Sequence, residues 1–378
     1  MESLKDTLEK IRKELHKFPE VSEEEYETKK RIQTFLEEHT SCEILPVANT
    51  GLLAIFNTNK EGKTVMLRAD IDALPIQEVN TFEHKSVNEG VSHKCGHDGH
   101  TTILLGVAKL LTEKPLPKGK VVLLFQPSEE NGRGAQSVLK DIYFKELNIN
   151  YAFALHNLPG FTKQEIVVKE NEFTSNVKSV IISLRGKTAH AAEPEKGFNP
   201  ANAIAEILHF VKQETKNIPE DTDFFLVTPV HIIMGEKAYG VSAGYGEVHL
   251  TLRSWSTNLM EEKQKKLKQL LRELEEKETL SINTSWFEEF YANKNDKEAV
   301  EYIKKAATNQ GLSINEINTP FKWGEDFGLF TQQYKGAIFG LGVGKNTPAL
   351  HNPDYDFPDE VTVTGAQLFY NILKEVQQ

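Results

Sequence analysis

The chain has 378 residues and a formal net charge of −11, with an ordinary globular share of apolar residues. That length accommodates two domains, or one large domain carrying an insertion. The acidic balance argues against nucleic acid or an anionic membrane as the main partner, and no apolar run approaches the roughly 18–20 residues of a membrane span. Cys42 and Cys95 are the only cysteines, too few for a disulfide framework. The polar start around Ser3 lacks the apolar core of a signal peptide, so a cytoplasmic protein is expected.

In chain order, Ser3 with Asp6 reads as a helix cap, and Leu4, Leu8, Ile11 and Leu15 repeat at helical spacing until Pro19. Ser22 with Glu25 reads as a second capping box, opening a helix that carries Tyr26, Phe35 and Leu36. Residues 52–56 and 64–67 read as strands, the second running into Asp70-Ile71-Asp72. Residues 93–100 hold His93, Cys95, His97, Asp98 and His100 around two glycines, and an apolar helix follows over 101–111. Residues 121–125 form a buried strand, followed by Gln126-Pro127-Ser128-Glu129-Glu130. A helix over 134–147 and a strand over 151–155, ending at His156-Asn157, complete this region.

Strands alternating with helices predict an α/β domain whose mostly parallel sheet is flanked by helices. Polar clusters fall just after three strands, where open α/β sheets place their ligands. The pattern changes near Phe173. Alternating strands over 177–184 and 247–255, a helix after Asn199-Pro200 and a charged amphipathic helix over 261–278 predict an inserted α+β unit. The expected division is 1–173 and 289–378 for the first domain and 174–288 for the insertion. A helix over 298–309, Gly324-Glu325-Asp326-Phe327, a strand over 337–341, His351 and a helix over 365–376 close the chain.

Five residues near strand ends or in late loops suit a metal: Cys95, His97, Glu130, His156 and His351. That mixed S, N and O set exceeds one tetrahedral zinc and suits two ions sharing a ligand, for which the Cys95 thiolate is the choice. In Glu129-Glu130 one carboxylate can coordinate while the other stays free as a base toward water. His16 reads as structural, and His93 and His100 as local hydrogen-bonding or pocket residues. Gly324-Glu325-Asp326-Phe327 reads either as a helix start with first-turn acids or as support for the site.

Several motifs occur in order: Arg12-x-x-Leu15-His16-x-x-Pro19-Glu20, Arg68-Ala69-Asp70-Ile71-Asp72-Ala73-Leu74-Pro75, Cys95-Gly96-His97-Asp98-x-His100 and Gln126-Pro127-x-Glu129-Glu130. Gly186-x-x-x-His190-Ala191, Gly324-Glu325-Asp326-Phe327 and His351 follow. Over nearly the whole chain this resembles the M20 metallopeptidase family, in its amidohydrolase branch. The resemblance implies a zinc-peptidase-like catalytic domain with an inserted lid or dimerisation domain. It implies a homodimer that hydrolyses an N-acyl amino acid to a carboxylate and a free amino acid. Cys95, His97, Glu130, His156 and His351 match the family's ligands for two divalent ions, with Mn, Zn, Co and Ni all compatible. Glu129 matches its base. Asp70 matches its catalytic aspartate, with Asp72 left open. His190 matches an oxyanion-stabilising histidine, from the same chain or a neighbouring subunit, and Arg253 a substrate-carboxylate arginine.

Two departures concern the inserted unit. Gly240-Val241-Ser242-Ala243 stands where the family commonly has Asn-Val-Ile-Pro, and Glu195 follows Pro194 where it often has His. A more flexible segment around Gly240 is expected, and substrate choice rests there. The competing readings are a dipeptidase or aminopeptidase of the same family, and a non-catalytic binding protein on this scaffold.

Overall fold

The computed structural model describes residues 3–378, and the chain falls into two compact units. The first contains the N-terminal part through Phe173, together with Asn293–Asn318 and Glu325–Gln378. The second contains Thr174–Ala292 and Thr319–Gly324.

The first unit is built on an eight-stranded sheet. Its order is Glu43–Val47, Gly51–Asn57, Lys120–Gln126, Thr64–Asp70, Tyr151–Pro159, Lys335–Gly344, Ile166–Val168 and Ile314–Glu316. The four central strands run parallel, and antiparallel pairs appear toward the edges. Because the central strands share a direction, Asp70, Gln126 and the His156-Asn157 pair fall at one end of the sheet. Asp70 lies opposite Gln126 in the ladder.

The first helix, Leu4–Lys17, starts as the sequence implies: the Ser3 hydroxyl accepts from the Asp6 amide at 3.2 Å, and Leu8, Ile11 and Leu15 are buried. The second helix differs. It spans Tyr26–His39 with Glu25 at the N-cap and no side-chain cap bond. Ser22 and Glu25 bond elsewhere instead, to Asp72 and to Ser128 and Thr50. The helix expected over 134–147 divides into Gly134–Lys140 and Ile142–Lys145. Asp141 breaks the run and caps the second piece through the Tyr143 amide at 2.9 Å. The helix His97–Glu113 is buried on almost every side, which its near-continuous apolar sequence requires.

The second unit has a four-stranded antiparallel sheet ordered Phe225–Met234, Tyr245–Ser254, Asn176–Arg185 and Ser281–Phe290. Helices Ala201–Glu214 and Thr257–Lys277 pack Ile204, Ile207, Leu267 and Leu271 against Val180, Ile182, Val248 and Leu250. The sequence signals the two inner strands by alternation. The outer two lack it: most of Phe225–Met234 is exposed, so nothing forces a period of two.

Candidate metal centre and catalytic site

The strand Thr64–Asp70 carries an arginine inside an apolar run. Arg68 is fully buried, and burial opposes its charge, but Glu325, Asp70 and Asp326 outweigh that and hold it firmly protonated. Its Nε donates to Gln126 Oε1 at 3.0 Å, and its terminal nitrogens donate to Asp70 at 2.7 Å, Glu325 at 3.0 Å and Asp326 at 2.9 Å. The planar fork thus ties together two strand ends and the Glu325-Asp326 turn. Asp326 also accepts from Gln126 Nε2 and from the Ala135 amide, each at 2.8 Å. Of the two readings for this turn, the structure favours support of the site.

Gly96 takes a left-handed conformation, φ +92°, at the start of the helix His97–Glu113. A side chain there would meet the Asn157 amide at 2.7 Å, so the close turn needs glycine. The turn directs Cys95 and His97 toward the sheet end. Cys95 Sγ lies 3.7 Å from His156 Nε2, and His97 Nε2 lies 3.8 Å from Glu130 Oε1. His351 Nε2 approaches the same Glu130 oxygen at 3.8 Å, from a backbone with φ +65°. That left-handed, non-glycine conformation is held in part by the His351 amide donating to the Lys94 carbonyl at 2.8 Å.

The overlapping donor groups include Cys95, His97 and His156; Cys95, Glu130 and His351; His97, Glu129 and Glu130; and Asp70, His97 and His100. Within each, the donor atoms lie within 4.8 Å of one another. His97 Nε2 and Glu130 Oε1 are buried without a hydrogen-bond partner. Buried polar atoms in that state are costly unless something else satisfies them. Thiolate, imidazole and carboxylate together suit borderline divalent transition-metal ions, so the residues present fit the metal pair expected from the sequence.

The two aspartates divide. His97 Nδ1 donates to the Asp72 side, with the backbone oxygen at 2.9 Å and Oδ1 at 3.2 Å, which turns Nε2 toward the donor group. Asp70 instead accepts from His100 Nδ1 at 2.6 Å, and His100 Nε2 is bonded to Asn157 Oδ1 at 2.6 Å. The sequence had His100 as a local hydrogen-bonding or pocket residue, which these bonds match, and gave Asn157 no role; Asn157's signal was its position just after His156. Glu129 is buried, and its carboxyl is pushed well up by burial and by Glu325, Glu130 and Asp326. Burial likewise brings Glu130 up to about 7.

Behind the His93–His100 stretch lies a second buried polar group. His16 donates through Nδ1 to Asp98 at 2.8 Å and through Nε2 to Glu78 at 3.0 Å. Arg12 donates to Asp98 and Asp356, and Lys94 to Glu78 at 2.6 Å. This agrees with a structural His16. His93 is buried with neither ring nitrogen bonded.

His190 and Arg253 belong to the second unit. His190 is exposed, pairs with Val241 in a short antiparallel ladder, and accepts at Nδ1 from the Ala192 amide at 3.0 Å. The segment expected to be flexible around Gly240 therefore contributes a short strand, and Ser242 accepts from Asn199 Nδ2 at 2.9 Å. Arg253 donates to the Lys322 carbonyl at 2.6 Å.

Comparison with known proteins adds to this geometry. Residues 66–375 match the model of Peptidase family M20/M25/M40. The chain belongs to this family. As an M20 protein it is a hydrolase. It is 30% identical over 376 residues to an N-acetyl-L-cysteine deacetylase of Bacillus subtilis, covering 98% of this chain and 89% of that one. It is 28% identical over 368 residues to a hippurate hydrolase of Campylobacter jejuni, covering 97% and 95% of the two chains. Among solved structures, a Bacillus subtilis protein described as a dinuclear metal binding peptidase from the M20 family superposes with a TM-score of 0.84. That pair is 27% identical, with 99% and 98% of the chains covered. No described helix is long and apolar enough to cross a membrane.

Proposed function

We propose that this M20 hydrolase is a metal-dependent amidohydrolase that cleaves N-acyl amino acids to a carboxylate and a free amino acid. The observation that carries the reading is the convergence of Cys95, His97, Glu130, His156 and His351, with His97 Nε2 and Glu130 Oε1 left open toward one another. Those five residues would hold two divalent ions, with the Cys95 thiolate, buried among them, the choice for a ligand common to both. Two such ions supply Lewis acidity toward the acyl carbonyl and raise the acidity of water near neutral pH. Glu129, buried beside Glu130, takes a proton from the attacking water. The water oxygen bonds to the acyl carbon, the carbon–nitrogen bond breaks, and Glu129 returns the proton to the departing nitrogen. Asp72 orients His97, while Asp70 orients His100 and anchors Arg68. His190 donates to the oxyanion, and Arg253 pairs with the substrate carboxylate.

The relatives' names, an N-acetyl-L-cysteine deacetylase and a hippurate hydrolase, support an acyl-amino-acid substrate. The second unit, expected over 174–288 and comprising Thr174–Ala292 and Thr319–Gly324, is the lid or dimerisation unit in this reading. A homodimer is supported by the edge strand Phe225–Met234, where Val230, Ile232, Ile233 and Met234 are all exposed. A reduced Cys95 ligand is in keeping with the cytoplasm.

The test is a screen of N-acetyl-L-cysteine, hippurate and an unblocked dipeptide with Mn²⁺, Zn²⁺, Co²⁺ or Ni²⁺ added. Turnover of an acyl amino acid above the dipeptide is expected. Dipeptide turnover alone would move the protein to a peptidase activity, and no turnover with metal fully loaded would refute catalysis.

A further inference from the structure

The link between the first two helices looks, in sequence, like a helix start. Its capping residues make no cap. They reach the turn that carries Glu129 and Glu130. Glu25 is fully buried, and its Oε1 accepts from the Ser128 amide at 2.8 Å and the Ser128 hydroxyl at 3.2 Å. Its Oε2 accepts from the Thr50 hydroxyl at 2.7 Å. The Ser128 hydroxyl in turn accepts from the Glu23 amide at 2.9 Å. Three residues earlier, Ser22 donates to Asp72 Oδ2 at 2.7 Å, and the Glu130 amide donates to the same oxygen at 3.0 Å.

Ser128 is the residue that needs such support. Its φ is +58°, in the left-handed region that a serine adopts at a cost. It stands between the buried strand Lys120–Gln126 and Glu129, so its backbone angles set where the two glutamates point. Pro127, just before it, leaves no amide on that side to bond. A carboxylate taking both the amide and the hydroxyl of one residue holds that residue's orientation more tightly than a single bond would. Thr50 then holds the carboxylate itself.

We propose that Glu25 is a positioning residue for the hydrolysis: it locks Ser128 in its left-handed conformation and so aims Glu129 and Glu130 at the donor group. Ser22 completes the clamp from the other side through Asp72. The proposal rests on the reading of Glu129 as base and Glu130 as ligand. Glu25 touches neither substrate nor metal in it.

The experiment compares E25A, E25Q and the wild type in kcat and KM for N-acetyl-L-cysteine, and in hydrogen exchange of the peptide spanning residues 126–134. In E25A, kcat falls about 30-fold while KM changes less than about threefold, the signature of displaced catalytic groups. Exchange in that peptide rises about tenfold, while peptides from the helix His97–Glu113 exchange as in the wild type. E25Q keeps an oxygen for the Ser128 amide and restores kcat to within about threefold of the wild type. Unchanged exchange at 126–134 in E25A overturns the proposal. So does exchange raised evenly through the whole chain, which would make Glu25 a general stabilising residue. So does an E25Q variant as slow as E25A. If the wild type itself hydrolyses no acyl amino acid, the functional reading fails, and the exchange comparison still decides the clamp.

Discussion

The turn carrying Glu129 and Glu130 and the segment carrying His190 are both short, polar and placed just after strands. They are supported in different ways. Around the glutamates, Glu25, Asp72, Asp326 and Arg68 are all buried, and each makes more than one bond. Around His190 the support is backbone pairing with Val241, a local turn to Ala192 and the Asn199–Ser242 bond, with His190 itself exposed. The first region is over-determined, as a site needs to be when it must hold several like charges close together. The second leaves its side chains free to take up different partners. In the proposed reading, the base and the ligand glutamate thus sit in residues with little room to vary, and the oxyanion histidine in a segment with more.

The largest expected effect tests the first half of the contrast. E129Q keeps the buried shape and removes the base, so kcat falls by about 10²–10⁴-fold. Metal content measured by plasma emission stays at the wild-type level. H97A, in contrast, loses metal. Near-normal turnover in fully loaded E129Q would return the carboxylate to a structural role. A smaller effect tests the second half. H190A lowers kcat by about 100-fold, in the range for losing one oxyanion donor, and leaves metal content and Tm untouched. A fall in metal content would show that His190 belongs with the ligands instead.

The smallest effect concerns the buried network behind the metal loop. Burial opposes a charged His16, but hydrogen bonds to Asp98 and Glu78 raise it from 6.5 to about 9. Burial would raise Glu78, but hydrogen bonds from His16 and Lys94 bring it from 4.5 down to about 2. The His16 contribution to stability is therefore full below pH 6.5 and lost as pH rises through about 9. The Glu78 contribution is full above pH 4.5 and lost as pH falls toward 2. Tm against pH is expected to be flat between those limits. E78Q lowers Tm by roughly 5 °C on that plateau and moves the alkaline fall to lower pH. An E78Q curve superimposable on the wild type would remove this network from the account of stability.

Much of the site was legible because its residue types are unusual for their surroundings. Cysteine and histidine crowded between glycines, and glutamates just after an apolar strand, have few structural uses. Arg68 carried the same signal, a guanidinium inside Val65–Leu67 and Ala69, without revealing its partners. Glu25 was misleading, because a serine and a glutamate three residues apart have an ordinary use as a helix cap. Only the approach of Ser128, over a hundred positions away, diverts that carboxylate.

By itself the sequence determined the alternation of strands and helices in the first unit, the donor types and their placement at strand ends, since periodicity and residue chemistry are local properties. The tertiary structure decided which donors meet, which of Asp70 and Asp72 stands behind His97, and where the capping residues Ser22 and Glu25 spend their hydrogen bonds. Those outcomes depend on strand register and on competition among buried polar groups from distant parts of the chain. No local pattern encodes either.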